Sequence, residues 1–490
     1  MKQKKILFIY DDRLLPPRHI ESIIGETKFS EIVFKKNKLK NTVFEYIRDF
    51  ENIFFQNLKD QEDYTQLVKQ IKNGETKNFS IIYFKSYAGI RSKEEFQFFL
   101  KKTLLSQLSL FDREYNPLFS FFDSPDLCAK FINLLSFSEN GFNIYDLDPN
   151  AIKIAEQELL IDLCNFNNFI SFFSGSLETR YFNRIKTDSL FLTKESDDRQ
   201  KIEKEYRYYH LLDDFMKFWF VMPFNLKIND QTASYQMERY QIPDMAVQWI
   251  HFGINNNDFK LFIDKAFIFL NQRTKKSISS HEVEQVVCDL FYTKVQNRFE
   301  SFKKIPIYEN LNSYIKTGTS YNCIEEIFDH YFTLFKQNSN KFQGLPLVVG
   351  HGDFCFSNIL YDKTTGLMRL IDPKGALSQD EIWSHPFYDL VKLSHSILGN
   401  YDFINNAQFD LTLEDQCNIK LQIDNEKCFQ QQKNFLAKLI QNDIDPRIIR
   451  LGEVSLFLSM LPLHIDYPKK VLAFLLNSIK ILKELEDNER

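Results

Sequence analysis

Short apolar runs punctuate the first third of the chain. Ile6 to Tyr10 is continuous, Glu31 to Phe34 and Ser80 to Phe84 are similar, and charged, helix-length stretches separate them. Buried parallel strands alternating with helices have this texture, so residues 1–165 are expected to form an α/β unit. From Phe169 the pattern changes. Ile170 to Gly175, Thr179 to Arg184 and Ser189 to Lys194 are β-like segments joined by Ser, Gly, Asn and Asp, which predicts an antiparallel meander. A helix is predicted from a cap at Ser196 or Asp197 through Tyr209. Two further strands, Trp219 to Pro223 and Ala233 to Glu238, would complete a five-stranded sheet lobe over residues 166–242.

Residues 243–490 are mostly helical by periodicity: Phe259, Phe262, Ile263, Ala266, Phe267 and Leu270 keep one face, and an amphipathic helix is expected over Lys470 to Leu485. One stretch, Leu347 to Gly375, is apolar, glycine-bounded and not helical. There is no internal repeat and no low-complexity segment.

Charge changes the picture mainly by exclusion. With 61 Lys+Arg against 66 Asp+Glu the formal charge is −5, which argues against a general nucleic-acid binder. Seven scattered cysteines without a C-x-x-C pair suggest free thiols in a reducing compartment, and no histidine spacing implies zinc. No apolar run approaches the ~18 to 20 residues that span a bilayer, and the apolar part of the start is too short for a secretory leader, so a cytoplasmic protein is expected. The 50 phenylalanines read as a core that tolerates any large apolar side chain. After Ile6 to Tyr10 comes Asp11-Asp12-Arg13, with no glycine-rich phosphate loop.

The candidate chemistry lies in the non-helical stretch. It reads Gly350-His351-Gly352-Asp353-Phe354-Cys355-Phe356-Ser357-Asn358, then a turn at Asp362 to Gly366, then Leu370-Ile371-Asp372-Pro373-Lys374-Gly375. The turn joins two short strands, so Asp372 returns beside the loop bearing Asp353 and Asn358. Phosphoryl transfer from ATP needs a carboxylate to orient the attacking hydroxyl and oxygen ligands for Mg²⁺. His-x-Asp-x-x-x-x-Asn is the kinase catalytic-loop spacing. It makes Asp353 the base candidate, and Asn358 and Asp372 the metal ligands. Upstream, alternation puts Leu190, Leu192 and Lys194 on one face, and Glu205 falls within the buried stripe Ile202, Tyr206, Tyr209 and Leu212. An inward carboxylate needs a partner, and Lys194 is the economical one. Glu203 shares its side with Arg207 and His210, as a solvated face does.

Gly352 stands where protein kinases have Arg, and Pro373-Lys374-Gly375 replaces Phe-Gly. With these changes and the helical tail, residues 168–410 resemble the aminoglycoside phosphotransferase and choline kinase superfamily. The motifs are similar to those of bacterial phosphotransferase-like proteins of capsule, or surface-polysaccharide, loci. The resemblance implies an α+β, protein-kinase-like two-lobe fold, and the α/β texture of residues 1–165 predicts a Rossmann-like N-terminal domain before it. The resemblance also implies ATP and Mg²⁺ as cofactors, a small-molecule hydroxyl as acceptor, and polysaccharide-pathway enzymes as partners. It places the adenine hinge at Met237-Glu238-Arg239-Tyr240 and a loop-bracing carboxylate at Asp389; Ser174-Gly175-Ser176 stands where a phosphate-covering turn would fold, a plain β-turn being an equal reading, and Lys374 is expected to neutralise charge on the γ-phosphate. A helix-start carboxylate is an equal reading of Asp389. Two alternatives stay open: a non-catalytic nucleotide-binding scaffold, and a bifunctional chain with a nucleotidyltransferase-like N-terminal domain.

Overall fold

The computed structural model describes residues 5–137, 143–154, 159–173, 183–187, 190–414 and 418–487. The chain divides into two units, Met1–Ser176 and Leu177–Arg490.

The first unit is built on a six-stranded sheet in the order Ile53–Leu58, Lys5–Asp11, Phe79–Lys85, Phe119–Phe122, Leu110–Phe111, Ile152–Lys153. The first three strands are parallel. Lys5–Asp11 lies between two neighbours with Phe8, Ile9 and Tyr10 wholly buried, which is why its sequence does not alternate. Phe119–Phe122 pairs antiparallel with Phe79–Lys85, so the sheet is mixed and not the all-parallel one expected. The run Glu31 to Phe34 is not a strand of this six-stranded sheet. Phe29–Glu31 is a 3-10 turn, and Val33–Phe34 forms a small hairpin with Asn37–Lys38. The strand that does pair is Ile53–Leu58, whose Gln56 and Asn57 disguise it as polar.

Phe166–Phe173 is a helix of this unit, where a strand was expected from Ile170. Phe169, Ile170, Phe172 and Phe173 are buried from it. A short apolar run fits either period, and packing decides. The turn Ser174-Gly175-Ser176, and with it Ser176, lies outside the described residues.

In the second unit four antiparallel strands form a sheet in the order Asn183–Thr187, Phe191–Ser196, Ala233–Glu238, Pro223–Ile228. Helix Arg199–Leu211 starts at Asp198, whose carboxylate accepts the Lys201 N–H, and buries Ile202 against Val221, Ala233, Tyr235 and Met237. The strand expected at Trp219 to Pro223 begins only at Pro223. Trp219 and Val221 pair instead with Leu370: the Val221 N–H donates to its carbonyl at 3.0 Å, and its N–H donates to Trp219 at 2.8 Å. This segment thus stitches the sheet lobe to the strand that delivers Asp372.

The rest is mostly helical: Pro386–Ile397 packs on Asn256–Gln272 and on Pro446–Met460, which in turn packs on Pro468–Asp487. The non-helical stretch supplies strand Leu347–Val349 and a hairpin of Ile359–Asp362 with Leu367–Leu370, turned by Gly366 at φ 69°. No described helix is long and apolar enough to cross a membrane.

Candidate active site

Lys194 leaves its strand into the space between sheet and helix and is 2% exposed. Its Nζ donates to Glu205 Oε2 at 2.7 Å and reaches Asp372 Oδ1 at 2.9 Å. The Tyr235 hydroxyl donates to the same Glu205 oxygen at 3.0 Å. Burial opposes the charge on Lys194, but Asp372 and Glu205 outweigh it and hold the ammonium protonated far above its usual range. Glu203, the rival, pairs with Arg207 at 2.7 Å on the outer face.

Two conformational devices bring Asp372 there. It sits at φ 53°, in the left-handed region that Asp tolerates better than most residues. Gly375, at φ 84°, then passes so close to the Glu205 helix that an added Cβ would lie 2.6 Å from the Lys204 carbonyl carbon and 2.7 Å from the Glu205 nitrogen. The Ala376 N–H closes this contact by donating to the Lys204 carbonyl at 3.0 Å.

The catalytic-loop candidates are held from below. Asp389 is fully buried, and its two oxygens accept the His351 N–H at 2.9 Å and the Gly352 N–H at 2.8 Å. Its charge is matched by buried Arg273 at 2.8 Å. Asp389 is therefore a brace for the loop as well as a first-turn helix carboxylate. His351 accepts the Asp353 N–H at Nδ1, so Nε2 carries the proton and donates to the Ile371 carbonyl at 3.0 Å. Burial keeps this imidazole neutral by lowering its pKa, as suits a loop spacer. Gly352 has φ 78°, and a Cβ there would meet the Lys374 Cβ at 2.5 Å, which explains why no Arg stands at this position.

Asn358 is 8% exposed, and its Nδ2 donates to both the Asp353 carbonyl at 2.9 Å and Asp353 Oδ2 at 3.1 Å. That fixes the amide orientation and leaves Oδ1 facing away from those acceptors. The Asn358 carbonyl accepts the Ile371 N–H at 3.1 Å, so Asn358 and Asp372 are joined through one residue. The other Asp353 oxygen meets Lys392 at 2.9 Å, a contact that no sequence pattern announced. Burial works to raise the Asp353 pKa, and Lys392 overrides it, bringing the carboxyl down to about 2. Its side chain is 43% exposed, so one edge is open to an incoming group. Cys355, beside it, is a buried thiol whose pKa is pushed well up by burial, and is no nucleophile.

The remaining expected residues are peripheral. Glu238 ends its strand exposed, and Tyr240 is half-buried against the sheet-lobe core. The Lys374 backbone N–H donates to the His351 carbonyl at 2.9 Å, while its side chain is exposed.

Among the described residues no cluster of three His, Cys, Asp or Glu side chains could hold a metal alone. Asn358 Oδ1 and Asp372 Oδ2 are oxygen donors without a hydrogen bond inside the described residues. One or two protein oxygens completed by phosphates and water is how Mg²⁺ is ordinarily held, so the donor set fits that ion. A cavity of about 360 Å³ opens elsewhere in the helical lobe, among Asn400, Lys433, Arg447 and Lys480, and touches none of these residues.

No family model matches the chain, and no curated protein does. Its structural neighbours are small-molecule phosphotransferases. A thermostable mutant of aminoglycoside phosphotransferase APH(4)-Ia is 10% identical, with 63% of this chain and 93% of that one covered at a TM-score of 0.40. A Plasmodium vivax ethanolamine kinase is 12% identical over 73% of this chain and 93% of its own, at 0.34. Aminoglycoside phosphotransferase APH(2'')-Ib, solved with ADP, is 11% identical over 62% and 92%, also at 0.34. Likeness of this degree settles neither activity nor acceptor; those turn on the side chains.

Proposed function

We propose that Leu177–Arg490 is a kinase that moves the γ-phosphoryl group of ATP, with Mg²⁺, onto a hydroxyl of a small molecule. What supports this is one connected path. Glu205 holds Lys194, Lys194 holds Asp372, and the adjoining Ile371 bonds Asn358, which in turn bonds Asp353. Apart from Ile371, which contributes only its backbone N–H, each member is a residue type that phosphoryl transfer uses, and they come from a strand, a helix and two loops.

Lys194 would bind the ATP phosphates, exchanging its contact with Asp372 for them while Glu205 keeps it in place. Asp372 and Asn358 would hold Mg²⁺, which when bound neutralises charge on the phosphates. Asp353 would accept a hydrogen bond from the acceptor hydroxyl and take its proton as the new P–O bond forms. A carboxyl with a pKa of about 2 is a weak base, so orientation is its larger contribution and the proton moves late. Lys374 lies over Gly352, within the loop, and is proposed to steady the transferred group. The backbone from Glu238 to Tyr240 is proposed as the adenine hinge, and Ser176 as part of the phosphate-covering turn. The motif resemblance extends the proposal to an acceptor of surface-polysaccharide precursor metabolism, with enzymes of that route as partners.

Two substitutions test it. Asp353→Asn is expected to lower acceptor-dependent ADP release by about 10²- to 10⁴-fold while MgATP still raises the melting temperature. Asp372→Ala is expected to abolish the MgATP-dependent shift itself. Undiminished turnover in either variant would defeat the assignment. MgATP stabilisation without ADP release, across a broad metabolite panel, would point to a scaffold.

A further inference from the structure

Helix Pro386–Ile397 presents Tyr388, Asp389 and Lys392 near the catalytic loop. Asp389 is committed to Arg273 and the loop amides. Tyr388 and Lys392 are four residues apart and so share a helix face. A second lysine arrives from another helix: Lys294 Nζ donates to the Tyr388 hydroxyl at 2.6 Å. Burial works to raise the Tyr388 pKa, and the two lysines outweigh it and lower it. Asp353 is paired with Lys392 at 2.9 Å and also feels the charge of Lys294, which stands one phenol away, at the Tyr388 of the helix face that carries Lys392. Lys294 is half-buried, bonds a phenol and has no acidic partner among the described residues.

The placement of Lys294 rests on an irregularity. A π-helical turn, Asp289–Thr293, separates helix Ser280–Cys288 from helix Lys294–Phe302. Such a turn inserts one residue and rotates all that follows by roughly 100° about the axis, and it collects at functional sites. Phe291 anchors it here. Its buried ring packs 5.8 Å from that of Tyr388, and its carbonyl accepts the Tyr331 hydroxyl. The irregular turn thus sets the register in which Lys294 reaches Tyr388, on the helix whose Lys392 holds Asp353.

We propose, resting on the kinase reading above, that the hydroxyl acceptor carries an anionic group, a phosphate or a carboxylate, and that Lys294 binds it beside Asp353. A cationic acceptor would face two ammonium groups, with Asp353 already paired to one of them. A neutral one would leave Lys294 half-desolvated without an ionic partner, at a cost in affinity.

Calorimetric titration of the full chain without nucleotide tests the site apart from ATP chemistry. The probes are glycerol 3-phosphate, glucose 6-phosphate and glucuronate, against glycerol, glucose, ethanolamine and choline. At least one anionic alcohol is expected to bind, with its neutral counterpart about tenfold weaker or worse. Lys294→Met should lose about tenfold in that affinity, and Lys294→Arg should keep most of it. Phosphate and carboxylate sources are told apart by which anion binds. Retained stabilisation of Lys294→Met by MgATP shows that the variant is folded. Binding of ethanolamine or choline as tight as any anion, failure of every anion to bind, or an unchanged affinity in Lys294→Met each overturns the inference. Absence of MgATP stabilisation in the unaltered protein would instead sink the kinase reading, and the titrations would still decide the anion site.

Discussion

Asp353 and Lys392 form an ion pair in which each depends on the other. Burial alone would push the Asp353 pKa above its ordinary 3.8, and the adjacent ammonium reverses the sign, to about 2. A depressed carboxyl contributes stability that is present above its unfolded pKa and lost as pH falls through the folded one. The contribution of Asp353 is therefore complete above about pH 4 and fades toward pH 2. Lys392 is shifted the other way, upward, by Asp353 in spite of burial, so its share is complete below its unfolded pKa and is lost as pH rises from there through the folded one. Lys392→Met removes the lowering charge and leaves the burial. The acidic limb of acceptor-dependent ADP release is expected to move up by at least about one pH unit, read from a rate-versus-pH profile. A limb that stays in place would show that another group sets it. The Lys194 and Glu205 pair was legible because a lysine ended an apolar row and a glutamate entered an apolar stripe. Lys392 carried no such mark. It is one more polar residue on a helix, and only the fold turns it toward Asp353.

At the scale of elements, the site depends on how closely the chain after Asp372 approaches helix Arg199–Leu211. Gly375 permits that approach by having no side chain and by accepting φ 84°. Gly375→Ala would force a Cβ against helix backbone that cannot swing aside. A loss of about 1–3 kcal/mol is expected in a urea melt, with weaker MgATP binding as Glu205 is displaced. An unchanged midpoint would mean that the loop can re-route. Element identity was partly readable. The hairpin Ile359–Asp362 with Leu367–Leu370 announced itself by a turn between apolar runs. Phe166–Phe173 and Trp219 to Val221 did not, since a few consecutive apolar residues are equally at home in helix, strand or a paired loop.

In the whole molecule every residue of the proposed kinase site within the described part belongs to Leu177–Arg490. That unit, expressed alone, is expected to keep its stabilisation by MgATP, about 2.7 kcal/mol at a hundredfold excess over Kd. A full chain that responds beside an isolated unit that does not would show that the first 176 residues are required. Local chemistry written in order along the chain was determined by the sequence: which residues can ligate, pair or cap, and where His351-Gly352-Asp353 and Asp372 stand relative to a turn. Only the tertiary structure decided which distant groups share a charge. Arg273 with Asp389, Lys392 with Asp353 and Lys294 with Tyr388 join positions 116, 39 and 94 residues apart. Spacing within one helix or strand is imposed by backbone geometry and can be counted. Contact between elements arises from packing the whole core at once, and no local period encodes it.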